Sequence, residues 1–170
     1  MKFIVLVGTG EKGKTTTLKE VIRKLIEGGA QREIASQNNF KGMKTTDGVG
    51  VVLEKGDMSV ELIYKHQKIG ITTFGDDRSS IEEKIAIFIQ DKCDCIICAS
   101  HPSGTSNTYI QELEMNPDYQ ICKVQKIGCC GDKKDWKYIN LCAFSDSLTA
   151  NEIISHIHIY NKGEQENERN

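Results

Sequence analysis

The stretch Gly8-Thr9-Gly10-Glu11-Lys12-Gly13-Lys14-Thr15 decides the reading of this chain, because it meets the spacing G-x-x-x-x-G-K-[ST] at every fixed position. The apolar run Phe3-Ile4-Val5-Leu6-Val7 precedes it and predicts a buried strand. After it, Leu18, Val21, Ile22, Leu25 and Ile26 recur on one face of a helix. A strand that passes through a glycine-rich turn into a helix gives the spacing a physical meaning. Glycines let the backbone curl until its N–H groups point inward, forming an anion nest at the helix N-terminus. Lys14 would then reach the β- and γ-phosphates of a nucleotide, and the Thr15 hydroxyl would complete the coordination of a magnesium ion. The implied binding residues are Gly8, Gly10, Glu11, Lys12, Gly13, Lys14, Thr15 and Thr16, and the implied ligand is ATP or another nucleoside triphosphate.

Outward from this motif, Gly28-Gly29 closes the first helix, and residues 30–47 read as a long polar loop. Three β-like runs follow, Val49 to Leu53, Ser59 to Tyr64 and Lys68 to Thr73, with turns at Lys55-Gly56-Asp57 and Lys65-His66-Gln67. They predict an antiparallel meander. Ser79-Ser80 with Glu82 and Glu83 reads as a cap for a second helix bearing Ile81, Ile85, Phe88 and Ile89. Cys95 to Ala99 is a wholly apolar run suited to the middle of a parallel sheet. A third helix with Tyr109, Ile110 and Leu113 stops at Asn116-Pro117, and Tyr119 to Ile127 predicts another strand. Trp136 to Phe144 fits neither period cleanly. Thr149 with Glu152 suggests a cap for a last helix with Ile153, Ile157 and Tyr160 inward. The order predicts an α/β fold, three-layered, with a mostly parallel central sheet and a meander at one side. Residues 1–161 form one nucleotide-binding domain on this reading, and 162–170 a disordered, frayed tail.

Composition narrows the function classes. With 170 residues, 38% apolar and 27% charged, the chain is an ordinary globular domain, and a net charge of −2 offers no electrostatic case for nucleic acid or anionic membrane. No run approaches the roughly 20 apolar residues of a membrane helix, so a cytoplasmic location is expected. The seven cysteines are Cys93, Cys95, Cys98, Cys122, Cys129, Cys130 and Cys142. Cys95 and Cys98 have C-x-x-C spacing, but within a strand they point to opposite faces, which favours reduced core thiols over a shared metal. Cys129-Cys130, in a glycine-flanked loop, is the more reactive pair on this reading.

Ligands in such sheets bind beyond the carboxyl ends of the parallel strands, which gathers the glycine turn, residues 72–77 and residues 100–105. Asp76, just past Ile69-Gly70-Ile71-Thr72-Thr73-Phe74, is the acid expected to act with magnesium or to position water, with Asp77 as its neighbour or as a helix cap. His101 and Thr105 join the candidates through the placement of their loop. On these residues the chain resembles the P-loop NTPase superfamily over about residues 2–127. Only residues 8–15 match a specific motif, the Walker A sequence. Small nucleotide kinases and small GTPases both resemble it in order of elements. Where a GTPase has D-x-x-G, this chain has Thr72-Thr73-Phe74-Gly75. Where guanine would be read, it has Ser100-His101-Pro102-Ser103. A kinase's arginine-rich lid is not evident, Arg78 being the only arginine between positions 33 and 169. The resemblance implies phosphoryl cleavage or transfer with Lys14 and Asp76 as catalytic residues and Thr15 and Asp76 at the metal. A small-molecule acceptor or a protein would be the further partner. The alternative is a non-catalytic switch in which nucleotide orders residues 30–47, with Lys41, Lys44, Thr45 and Thr46, together with the meander, for a partner protein.

Overall fold

In the computed structural model the backbone is described for residues 1–9, 13–32, 43–45, 51–53, 56–126, 128 and 136–167, and side chains for these except 32, 43–45, 51–53 and 158–167. The elements are β1 (Lys2–Val7), α1 (Lys14–Glu27), β2 (Gln31–Arg32), β3 (Met43–Thr45), β4 (Val51–Leu53), β5 (Ser59–Tyr64), β6 (Gln67–Thr72), α2 (Arg78–Gln90), β7 (Cys95–Ser100), α3 (Thr105–Glu114), β8 (Gln120–Gln125) and α4 (Trp136–Asn167). A mixed six-stranded sheet has the order β2-β5-β6-β7-β1-β8, and β3 and β4 form a separate ribbon. Strands β6, β7, β1 and β8 are parallel, whereas β5 runs antiparallel to both β6 and β2.

Alternation in the central strands sorts the core into two layers. Ile4 and Leu6 face a cluster with Leu18, Val21, Ile22 and Leu25 of α1 and Ala150, Ile153 and Ile157 of α4. Phe3, Val5 and Val7 face the other way, against Ile81, Ile85 and Phe88 of α2 and Tyr109 and Ile110 of α3. Helices therefore cover both faces of β1, which is why its apolar run is continuous rather than alternating. Each fully buried side chain of this kind contributes about 1.5–3 kcal/mol relative to exposure. Cys95 lies in the first cluster and Cys98 in the second, as the spacing required. Burial pushes both thiols up to about 12, so they stay protonated at neutral pH. Cys129 and Cys130 lie outside the described residues.

Three expectations are corrected. The meander is a hairpin, because the strand beside β5 is β2, with Gln31 opposite Ile63 and Arg32 opposite Leu62. β4 pairs with β3 instead. Two short strands thus lie within the segment read as loop, since edge pairing is a long-range choice that local pattern does not report. The hairpin turn itself was legible: Lys65 and His66 take φ of 50° and 67°, the left-handed pair of a tight two-residue connection. The cap of α2 is Asp77, whose carboxylate accepts from the Ser80 N–H at 2.9 Å and from both serine hydroxyls. Ser79 and Ser80 are first-turn donors to it. Finally, α4 begins at Trp136, so the segment of ambiguous period is helical. Thr149 is interior, its hydroxyl donating to the Ser145 carbonyl at 2.9 Å instead of capping. The backbone of α4 runs to Asn167, over most of the segment read as a tail.

Candidate functional site

Three parallel strands deliver the predicted site to one edge. The backbone leaving β1 stays registered with its neighbours: Gly8 N–H donates to Ser100 O at 3.1 Å, and Lys126 N–H donates to Val7 O at 2.8 Å. Gly10, Glu11 and Lys12 lie outside the described residues. Gly13 sits at the head of α1 with φ of 77°, a left-handed conformation that glycine adopts without a Cβ clash. Its carbonyl accepts the first helical bond, from Thr17 N–H at 2.9 Å.

Lys14 is only 5% exposed. Its ammonium donates to the carbonyls of Gly8 at 2.8 Å and Thr9 at 3.3 Å, folding the side chain back over the turn. Burial lowers its pKa below the ordinary lysine range, and the nearby charges of Asp76 and then Asp57 oppose that shift. The Thr15 hydroxyl donates to Asp57 Oδ1 at 3.0 Å, while Thr16 is exposed. Asp57 Oδ1 also accepts from the Thr73 hydroxyl at 3.0 Å. Asp57 stood in the sequence as a turn residue. A clue was its place two residues before a strand whose hairpin partner leads back to Thr72 and Thr73.

Asp76 is exposed, its charge acts on Lys14, and its Oδ1 lies 3.0 Å from His101 Nε2. The loop containing His101 is therefore part of the edge, as its position after β7 implied. Asp77 is committed to the α2 cap, which holds its carboxyl down at about 2, chiefly through the Ser79 hydroxyl. Arg78 reaches Glu112 through two bonds of 2.7 Å and Glu82 through one of 3.0 Å, tying α2 to α3. Thr105 accepts from Arg78 N–H at 3.3 Å and opens α3. Gly75 is a packing glycine: a Cβ there would stand 2.3 Å from the Ala99 carbonyl oxygen of β7.

Beneath the turn is a charge network that local pattern did not reveal. Lys126 Nζ lies 2.8 Å from Asp146 Oδ1 and donates to the Ser145 hydroxyl at 3.0 Å, with its side chain 2% exposed. The Thr17 hydroxyl donates to the same Asp146 oxygen at 2.7 Å. Asp146 shares a helical face with Ala150, Ile153 and Ile157, and a charge interrupting an apolar stripe was the available signal. The network ties β8, α4 and α1 together at the point where the glycine turn enters α1.

Among the described residues no group of three or more acidic, histidine or cysteine side chains could hold a metal without other ligands, and no helix is long and apolar enough to cross a membrane. The oxygen atoms of Thr15 and Asp57, 3.0 Å apart, are nonetheless hard donors of the kind magnesium prefers when phosphates complete its shell. Comparison with known proteins finds no matching family model, no matching curated protein and no matching solved structure.

Proposed function

We propose that the chain binds a nucleoside triphosphate such as ATP together with magnesium, and cleaves or transfers its terminal phosphoryl group. The observation that supports this most is the situation of Lys14. A buried ammonium follows a glycine turn at a helix N-terminus, has neutral carbonyls for partners, and has a pKa lowered by burial. Phosphate oxygens would supply the negative charge it lacks. Gly8, Gly13 and Thr15, with Gly10, Glu11, Lys12 and Thr16 of the same motif, would surround the phosphates. Asp76 and Asp57 would bring carboxylates to the opposite side. Phosphoryl transfer asks mainly for positioning and charge neutralisation, and this set meets both needs. Magnesium, when bound, draws charge from the phosphate oxygens.

The test is a thermal-shift panel of nucleoside mono-, di- and triphosphates with and without magnesium. A ligand at a hundredfold excess over Kd adds about 2.7 kcal/mol to native stability. A rise in Tm confined to triphosphates indicates hydrolysis or switching, and an added response to a monophosphate indicates transfer to a nucleotide acceptor. No response to any triphosphate would remove the reading. A second reading, a nucleotide-dependent switch, draws on the separate β3–β4 ribbon, whose β4 approaches α1. Triphosphate-specific protection of residues 43–53 in hydrogen exchange, without turnover, would favour it.

A further inference from the structure

We propose that Asp57, two residues before β5, is the carboxylate of the magnesium site, partnering Thr15 in place of the acid expected after β6. The inference rests on the triphosphate reading above and assigns a role within it. Asp57 Oδ1 accepts from Thr15 Oγ1 and Thr73 Oγ1, each at 3.0 Å. Thr73 is itself fixed: its hydroxyl oxygen accepts from Met58 N–H at 2.8 Å, and its own N–H donates to Met58 O at 2.9 Å. The carboxylate is therefore positioned from two elements at once, the first turn of α1 and the end of the β5–β6 hairpin.

That arrangement orients Thr15 as a metal ligand. With its proton donated to Asp57, the hydroxyl keeps its lone pairs for a cation, and the adjacent carboxylate contributes the charge. One carboxylate and a hydroxyl, with phosphates and water, form an ordinary hard-oxygen shell for magnesium. Asp76 has different company. Both carboxylates are exposed, but Asp76 meets His101 at 3.0 Å and not the motif threonine, which suits the side of the site where an attacking group would approach. Of the two carboxylates, Asp57 is the one bonded to the motif threonine. The metal ligand would then come from the segment that enters an antiparallel strand, and magnesium would link the hairpin to α1.

The test is calorimetry on the full chain with a non-hydrolysable triphosphate, in magnesium and in chelator, joined to electron paramagnetic resonance with Mn2+ as the probe. Asp57→Asn keeps an acceptor oxygen for both threonines and removes the charge. It should bind the metal-free triphosphate as wild type does, lose roughly 10- to 100-fold of the magnesium-dependent gain, and lose the bound Mn2+ signal. Thr15→Val should lose the same gain. Asp76→Asn should keep both the gain and the signal. Full magnesium enhancement in Asp57→Asn, or loss of it in Asp76→Asn alone, overturns this assignment and leaves the triphosphate reading standing. Failure of the wild-type chain to bind triphosphate under either condition overturns both.

Discussion

Lys14 and Lys126 both pack against Gly8, where an added Cβ would lie 3.5 Å from Lys14 Cγ and 3.0 Å from Lys126 Cβ. Both are buried, yet their ammonium groups have different company. Lys126 has a carboxylate, Asp146, at 2.8 Å and a hydroxyl at 3.0 Å. Lys14 has the carbonyls of Gly8 and Thr9, with the charges of Asp76 and Asp57 acting from farther off. The first is a closed ion pair that braces three elements. The second is a desolvated charge with no carboxylate bonded to it among the described residues, the condition in which an anionic ligand gains most. Two lysines at one sheet edge thus divide into a structural brace and a charge for which we propose an anionic ligand.

The largest effect should come from breaking the brace. Asp146→Ala leaves Lys126 buried without its counter-charge, and loss of one partner of such a pair costs about 3–5 kcal/mol. Denaturant unfolding measures this directly. A loss below about 1 kcal/mol would mean that Lys126 finds water or another partner, and the contrast with Lys14 would weaken.

Lys14→Met should act on binding instead. Triphosphate affinity is expected to fall by roughly 100-fold, about 2.7 kcal/mol, measured by calorimetry. Stability should move the other way. A lysine whose native pKa is lowered binds its proton less tightly folded than unfolded, so its charge opposes folding at neutral pH. Lys14→Met is therefore more stable than wild type at pH 7. The gap should narrow as pH rises through the native pKa toward the ordinary lysine value of about 10.5. A gap that widens with pH would show that the folded protein favours the charged form.

The smallest effect sharpens the comparison by removing one neutral partner. Thr17→Val deletes the 2.7 Å bond to Asp146 and keeps the shape of the side chain. A loss of about 1–2 kcal/mol is expected, with Lys126 still paired. A loss as large as that of Asp146→Ala would make Thr17, not the ion pair, the element that holds α1 to α4.

The helices and central strands were legible because their signals are local. The 3.6-residue period of Leu18, Val21, Ile22 and Leu25 marks α1, and the continuous apolar runs mark β1 and β7 as strands buried on both faces. The errors fall where partners are distant in sequence. β2 and β3 are too short to show a period, and their pairing depends on which sheet edges remain open. The start of α4 was obscured because Trp136, Ile139, Leu141 and Phe144 are exposed apolar residues, so they trace no single buried face. Gly75 was noticed as the surviving glycine of another motif, while the structure explains it by the approach of the Ala99 carbonyl.

By itself the sequence determined the turn between β1 and α1, with Gly13, Lys14 and Thr15 in adjacent positions, because backbone curvature and helix initiation depend on residues only a few places apart. The bonds from Lys14 to the carbonyls of Gly8 and Thr9, six and five residues back, are just as local, although the sequence reading aimed that ammonium at phosphates. Tertiary structure alone decided which acids stand near that turn. Thr15 meets Asp57 across 42 positions and Thr17 meets Asp146 across 129. No local pattern encodes such meetings, because charges are brought together by strand order and helix packing, and the burial that comes with them sets the strength of each charge.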